Sequence, residues 1–306
     1  MTETRAPVVK RVALSYNPQS EGASELAGAL RDDIQSRGLE AWITDDDAEA
    51  SAFMPSDLVI CLGGDGSVLR CARLLIGCET VILGVNMGRL GFLTEMDGSE
   101  VRQRLDEVLS GSGRIEERTM LRAYLARTGE TLHGLNEAAV GRATLSRAIQ
   151  LAIDVDGARI ADYRCDGVIV ASATGSTAYA LSVGGPILYP ESRDLVIVPV
   201  APHLAAQHAV VLPGDETVHI TLEPGQQAVL SVDGEADLQL EEGDSVVVGR
   251  SEHKARFLRL QPGTDFYKRM AAQLGWHRPG GNAQPLPTTP PRAYGHTGIQ
   301  AGEPAK

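Results

Sequence analysis

Along the first 110 positions, apolar residues switch between two periods. The stretch "VKRVALSYN" at 9–17 reads as a strand, and 21–39 carries apolar residues at helical spacing until Gly38 closes it. "EAWITD" at 40–45 is a second strand. Leu58, Val59, Ile60 and Leu62 form a short continuous apolar run, the mark of a parallel strand covered on both faces. A helix over 67–77 follows, then a strand over 80–96 that breaks into Gly84, Gly88 and Gly91, then a helix over 100–111. Such alternation predicts an α/β, doubly wound parallel sheet, with ligands at the carboxyl ends of its strands.

From about Glu116 the pattern changes. Short alternating runs at 118–127, 132–142, 149–157, 166–173, 194–201, 216–223, 228–235 and 244–250 predict a β-rich, sandwich-like second domain over 116–264. "DFYKRMAAQLGW" at 265–276 reads as one amphipathic helix closed by Gly275. The remainder, 279–306, is rich in Pro, Gly and Thr and is expected to be a disordered tail. "TDDDAE" at 44–49 is expected to be a solvated loop, since no calcium-loop pattern surrounds it.

Composition narrows the chemistry. A formal net charge of -12 argues against a nucleic-acid partner. Apolar runs are strand-sized and the first ten residues contain no apolar core, so neither a membrane nor secretion is indicated and cytoplasm is expected. Cys61, Cys71, Cys78 and Cys165 include no CxxC pair and are expected to be buried hydrophobes. No glycine precedes a lysine anywhere, which excludes a Walker A loop, and no GxGxxG follows a strand.

Two stretches carry candidate chemistry. In "LVICLGGDGSVLR" at 58–70, Gly63, Gly64 and Gly66 can adopt positive φ and leave room for an anion, with Ser67 as the expected N-cap of a helix starting near Val68. Asp65 would repel a phosphate, so its carboxylate needs another task, such as taking a proton or helping to hold a metal. In "CDGVIVASATGSTAYALSVGGPILYP" at 165–190, a strand leads into Thr174, Gly175, Ser176 and Thr177, expected to present hydroxyls at a helix beginning near Ala178.

With GGDG at 63–66, "GVNMGRLGFLTE" at 84–95, "LNE" at 135–137, "DG" at 166–167, "TGSTAYALSVGGPI" at 174–187, "APH" at 201–203 and "LGW" at 274–276, the chain resembles the bacterial NAD kinases. The resemblance covers about residues 9–277 and implies phosphorylation of the adenosine 2′-hydroxyl of NAD, with ATP or polyphosphate as donor. It implies Asp65 as general base and Gly63, Gly64 and Gly66 at the donor phosphates. Asn136, Glu137, Thr174, Thr177, Ala178, Tyr179, Ala180, Leu181 and Ser182 would hold NAD, with Asp166 and Ala201 toward the nicotinamide half. Phe92 would pack near adenine, and Arg147 and Arg164 would contact the dinucleotide. The last helix would return to the first domain, and a homo-oligomer, dimer or tetramer, is implied.

A divalent cation, Mg²⁺ by its preference for phosphate and water, is expected with the donor. Glu235, in "VDGE", stands where the family commonly has glutamine; it is expected either to repel the nucleotide's phosphates or to accept hydrogen bonds from Arg147, Arg164 or a ribose. "ASATGSTAY" lacks the family's more usual threonine-proline. On residue chemistry alone "VDGE" is a hairpin turn, and His203 is structural. Two rival functions share these features: a lipid or diacylglycerol-type kinase with the same GGDG loop, and an NAD-binding sensor without turnover. The ordered NE and TGSTAY motifs favour a dinucleotide acceptor, and the retained Asp65 favours chemistry.

Overall fold

The computed structural model describes residues 9–45, 48–88, 91–144, 147–203 and 208–276. The chain up to Gly263 is one compact unit and the segment from Thr264 is another. Part of the acidic 44–49 loop and the expected tail at 279–306 lie outside the described residues.

The first stretch alternates as its pattern predicts: β1 (Arg11–Tyr16), α1 (Ala23–Ser36), β2 (Glu40–Asp45), β3 (Leu58–Gly63), α2 (Asp65–Leu74), β4 (Val81–Asn86) and β5 (Met96–Asp97). Strands β2-β1-β3-β4 are parallel, and every residue of β3 and β4 is buried. One face packs against α1 through Ala23, Ala27, Leu30 and Ile34; the other packs against α2 through Val68, Cys71 and Ala72. The single helix expected over 100–111 is instead two short ones, α3 (Gly98–Val101) and α4 (Leu105–Leu109). Gln103 and Arg104 N–H both donate to Glu100 O, and that shared acceptor tightens the chain into a turn between them.

The β-rich part comprises β6 (Arg114–Leu125), β7 (Glu130–Gly134), β8 (Glu137–Arg142), β9 (Ile149–Val155), β10 (Ala158–Cys165), β11 (Gly167–Ala171), α5 (Tyr179–Ser182), β12 (Leu195–Val200), β13 (Val210–Leu212), β14 (Val218–Leu222), β15 (Ala228–Val232), β16 (Ala236–Leu240) and β17 (Ser245–Arg259). Six strands form an antiparallel sheet in the order β13-β12-β11-β8-β15-β16. Its inner face meets β9, β14 and β17 in a shared apolar core that includes Val140, Val168, Leu230, Ile153 and Val248. This is the expected sandwich. Strand β10 escapes the sequence pattern because most of its side chains are exposed at a sheet edge.

Strand β17 joins the two parts. It pairs along its length with β6, and with β14 near its start; near its end Phe257 pairs in parallel with Ile82 of β4. One sheet of eleven strands therefore runs through the whole unit, across the boundary expected near Glu116. The second unit's described part is α6 (Asp265–Gln273), closed by Gly275 at φ 66°. No helix among the described residues is long and apolar enough to cross a membrane.

Four buried charges sit where β17 ends. Arg259 Nε donates to Glu116 at 3.0 Å, and Arg259 Nη1 donates to Leu93 O at 2.9 Å and to Glu95 at 3.3 Å. Arg118 donates to Glu116 at 2.8 Å and to Thr174 Oγ1 at 3.2 Å, and both guanidiniums flank the Phe257 ring. Burial pushes the Glu116 carboxyl up, but Arg259 and Arg118 outweigh it and hold it well below the usual carboxylate range. Removing that charge leaves two buried cations short of a partner. Glu116→Gln should cost about 3–5 kcal/mol in urea unfolding at neutral pH. Because a depressed carboxyl stabilises above its unfolded pKa and loses that advantage as pH falls, the gap from the parent should narrow below the ordinary value of 4.5.

Candidate active site

The GGDG loop lies at the carboxyl end of β3, as the alternation predicts. Its geometry differs from expectation in two ways. Helix α2 begins at Asp65 with Gly64 as N-cap, so Ser67 is inside the first turn, buried, and not the cap. None of Gly63, Gly64 and Gly66 adopts positive φ. What they supply is space: a Cβ on Gly63 would lie 2.8 Å from Ser67 Cβ, while a Cβ on Gly64 or Gly66 would meet nothing within 4 Å. Room therefore lies beside the first turn of α2, at the positive end of its dipole.

Asp65, in that first turn, is half-buried and points away from the helix. Phe92 N–H donates to its Oδ2 at 2.8 Å, and Leu93 N–H donates to its Oδ1 at 2.9 Å. Each oxygen is fixed by one amide and keeps a second lone pair. Gly91 makes this possible, since a Cβ there would fall 2.6 Å from Asp65 Oδ2 and closer still to Oδ1. The "GFLTE" segment at 91–95 is therefore a clamp for Asp65. Phe92 serves it through its backbone, and its side chain is half-buried.

The "LNE" segment lies where the chain leaves one sheet for the other, between β7 and β8, so the single strand expected over 132–142 is broken. Backbone N–H groups freed at the break go to Asp233. Its carboxylate accepts from Leu135 at 2.7 Å, Asn136 at 2.8 Å and Glu137 at 3.1 Å. Asp233 and Gly234 sit at φ 51° and 72° in the β15–β16 turn, with Glu235 N–H donating to Val232 O at 3.2 Å. This is the Asp-Gly hairpin turn expected of "VDGE". Sequence reasoning missed the carboxylate's use, since a turn aspartate explains itself without it.

Glu137 is the most perturbed group here. Burial and the neighbouring Asp233 push its carboxyl up to about 7, against a hydrogen bond from Tyr179 N–H. Its Oε2 is buried without a hydrogen-bond partner among the described residues. A buried acceptor left open this way suits a ligand's hydroxyl or amino group.

The TGST hydroxyls, expected to face a ligand, are mostly spent on the chain itself. Ser176 Oγ–H donates to Ala173 O at 2.6 Å and accepts from Leu188 N–H, Thr177 Oγ–H donates to Thr174 O, and Thr174 Oγ1 accepts from Arg118. Gly175 packs against the backbone of Asn136, and Ser172 N–H donates to Asn136 O at 2.9 Å. The segment is thus a rigid buttress for the NE loop. After it, Ala178 is half-buried and Tyr179 is 45% exposed. Ala180 is buried, Leu181 is half-buried, and exposed Ser182 donates its hydroxyl to Tyr179 O.

Glu235 contacts neither Arg147 nor Arg164. It pairs with Arg73 of α2, and Arg70 lies 3.8 Å away. The sequence did not single out these two arginines. The Asp65 helix, the Asp233 turn, the NE loop and Tyr179 are thereby one connected cluster. Asp166 and Ala201 form a separate pair at the opposite end of β11, where Asp166 binds Arg142 at 3.0 Å and Ala201 sits at φ 46°. The five residues of β11 put about 16 Å between them and the TGST turn. Arg147 and Arg164 are exposed and outside these contacts.

Residues 3–113 match the ATP-NAD kinase N-terminal domain and residues 135–260 match the ATP-NAD kinase C-terminal domain. An NAD kinase of Chloroflexus aggregans is 40% identical over 273 residues, covering 87% of this chain and 99% of that one. The chain belongs to the NAD kinase family. An NAD kinase of Dehalococcoides mccartyi is 36% identical over 87% of this chain and 96% of its own. In fold, the chain is similar to a yeast NADH kinase complexed with NADH, with TM-score 0.77, 22% identity and 91% of each chain covered. It is also similar to an NAD kinase from Archaeoglobus fulgidus in complex with ATP, with TM-score 0.73, 23% identity, and 86% and 98% covered.

As a member of the NAD kinase family the chain is a kinase. Its two family domains leave 114–134 between them, which is β6 and β7; β6 pairs with β17, the strand that carries the sheet across. The Glu137 geometry gives a test independent of turnover. A carboxyl raised from 4.5 to about 7 costs stability as pH rises through that interval, because the unfolded chain ionises first. Glu137→Gln removes the cost, so its melting temperature should match the parent's near pH 4.5 and exceed it increasingly up to pH 8.

Proposed function

We propose that this protein transfers the terminal phosphoryl group of ATP or polyphosphate to the adenosine 2′-hydroxyl of NAD, giving NADP, with Asp65 as general base. Its support is the family membership together with one observation: a carboxylate locked by two amides at the mouth of a helix whose first turn faces open space. Donor phosphates belong over Gly64, Gly66 and the α2 N–H groups. The acceptor's adenosine side belongs between Asp65 and Glu137, whose open Oε2 and the exposed Tyr179 ring supply polar and stacking contacts.

In the step, a 2′-oxygen lone pair attacks the terminal phosphorus in line and the bond to the leaving phosphate oxygen breaks. The hydroxyl proton passes to Asp65. Such transfers need positioning and charge compensation more than covalent help, and fixing both Asp65 oxygens removes the freedom that would blur the angle of approach. The divalent cation enters with the donor's phosphates as part of that substrate. Among the described residues no His, Cys or carboxylate cluster able to cage an ion stands at the GGDG loop, which fits Mg²⁺ held chiefly by phosphate and water.

Incubating the purified chain with NAD, Mg²⁺ and either donor, and reading NADP with an NADP-specific dehydrogenase, tests the reading. No NADP with either donor overturns it. Asp65→Asn should keep the fold and much of NAD binding while lowering turnover by about 10²-fold or more. Near-normal turnover in that variant removes Asp65 as the base.

A further inference from the structure

A second cluster of chemistry-bearing side chains stands at the other end of α2 from Asp65. In β17 the pairing with β6 shifts between Arg250 and Lys254, so that Ser251, Glu252 and His253 bulge out of register opposite Met120. Bulges of this kind re-aim side chains. Here they bring Glu252 and His253 to His133 of β7, across the intervening strand β6. One ligand atom from each of the three lies within 4.8 Å of the others, and the two imidazole rings stand 5.2 Å apart, edge to face.

We propose that His133, Glu252 and His253 form a binding site for a late first-row divalent cation of the Zn²⁺ class, which clips β7 to the β17 bulge. Two imidazoles and a carboxylate are a zinc-type donor set, and three ligands leave a fourth position for water. The same donors discriminate against Mg²⁺, which prefers oxygen throughout, so this cation is distinct from the one that accompanies a phosphoryl donor.

The surroundings already orient the ligands. Ser251 Oγ, buried, lies 2.8 Å from His133 Nδ1 and accepts from His253 N–H at 3.0 Å. Ligation through His133 Nε2 puts the ring proton on Nδ1, where the remaining lone pair of Ser251 accepts it; such an outer partner is what metal-bound histidines have. His253 Nε2 faces Glu252 Oε1 at 3.5 Å, and its ring abuts Gly77, where a Cβ would lie 3.6 Å from Cε1. Arg122, opposite His133 in the β6–β7 pairing, is a nearby cation that opposes the ion, and the Glu252 carboxylate offsets it.

The test uses the full chain after chelator treatment and desalting. Calorimetric titration with Zn²⁺ should show one equivalent bound, Co²⁺ should give the visible absorption of a four-coordinate centre, and Mg²⁺ should do neither. A hundredfold excess of Zn²⁺ over Kd should raise the melting temperature by about 4 °C. His133→Ala and His253→Ala should each abolish the Co²⁺ band and the thermal shift, with kinase activity in Mg²⁺ and ATP retained. Glu252→Gln alters a side chain 60% exposed, so it leaves the fold intact and should weaken Zn²⁺ about tenfold or more. Absence of stoichiometric binding by the parent, or equal binding by Glu252→Gln and both alanine variants, overturns the proposal.

Discussion

The contact between Glu116 and Arg259 holds the two halves of the molecule in one geometry. Arg259 ends β17, the strand that leaves the sandwich and enters the parallel sheet, and it arrives between Glu95 of the Asp65 clamp and Glu116 of β6. Arg118 extends the same network to Thr174 beneath the TGST turn. Two buried acids meet two buried bases, so the set is neutral, and its net stabilisation is modest once desolvation is counted. What it specifies is placement. Leu93 gives its N–H to Asp65 and its carbonyl to Arg259, so the residue that orients the candidate base is itself anchored to the interdomain strand.

Much of this was legible in the sequence because the fold is built from long, periodic or fully apolar elements. The runs at 58–62 and 81–85 leave no choice but a doubly covered strand, and the glycines after them mark the ends where ligands gather. What was not legible depends on where freed backbone groups go. The NE break needs three N–H acceptors, and these come from Asp233, almost a hundred residues away, in a turn whose composition is already accounted for by its conformation. Hydroxyls in TGST looked available because local sequence cannot show that Ser176 and Thr177 close the turn on itself or that Thr174 accepts from Arg118 of β6. The bulge at 251–253 breaks the alternation of β17 without any glycine to mark it.

A division of labour between rigid and open groups follows. Small polar residues of the motifs mostly shape backbone, while among the described residues few groups keep capacity for a ligand: the outer lone pairs of Asp65, the buried Oε2 of Glu137 and the exposed ring of Tyr179. That distribution suits a transfer reaction. Groups pinned by two or more hydrogen bonds need little reorganisation when charge moves.

One turn couples both sides of that meeting place. Asp233 fixes the NE loop, and two residues later Glu235 grips Arg73 on the helix that starts with Asp65. The hairpin's positive-φ geometry sends those two carboxylates to different elements, which an extended strand of the same residues would not do. A shift of α2 is therefore resisted by the turn that supports the NE loop. Glu235 gains a second meaning in this setting. In an acidic chain with four lysines, arginines on α2 are the cations most readily drawn toward a polyanion, and a carboxylate that engages Arg73 keeps the helix's charge directed at the β-rich half. Glu235 is paired with Arg73, and Arg70 lies 3.8 Å away, so its charge is already partly offset within the protein.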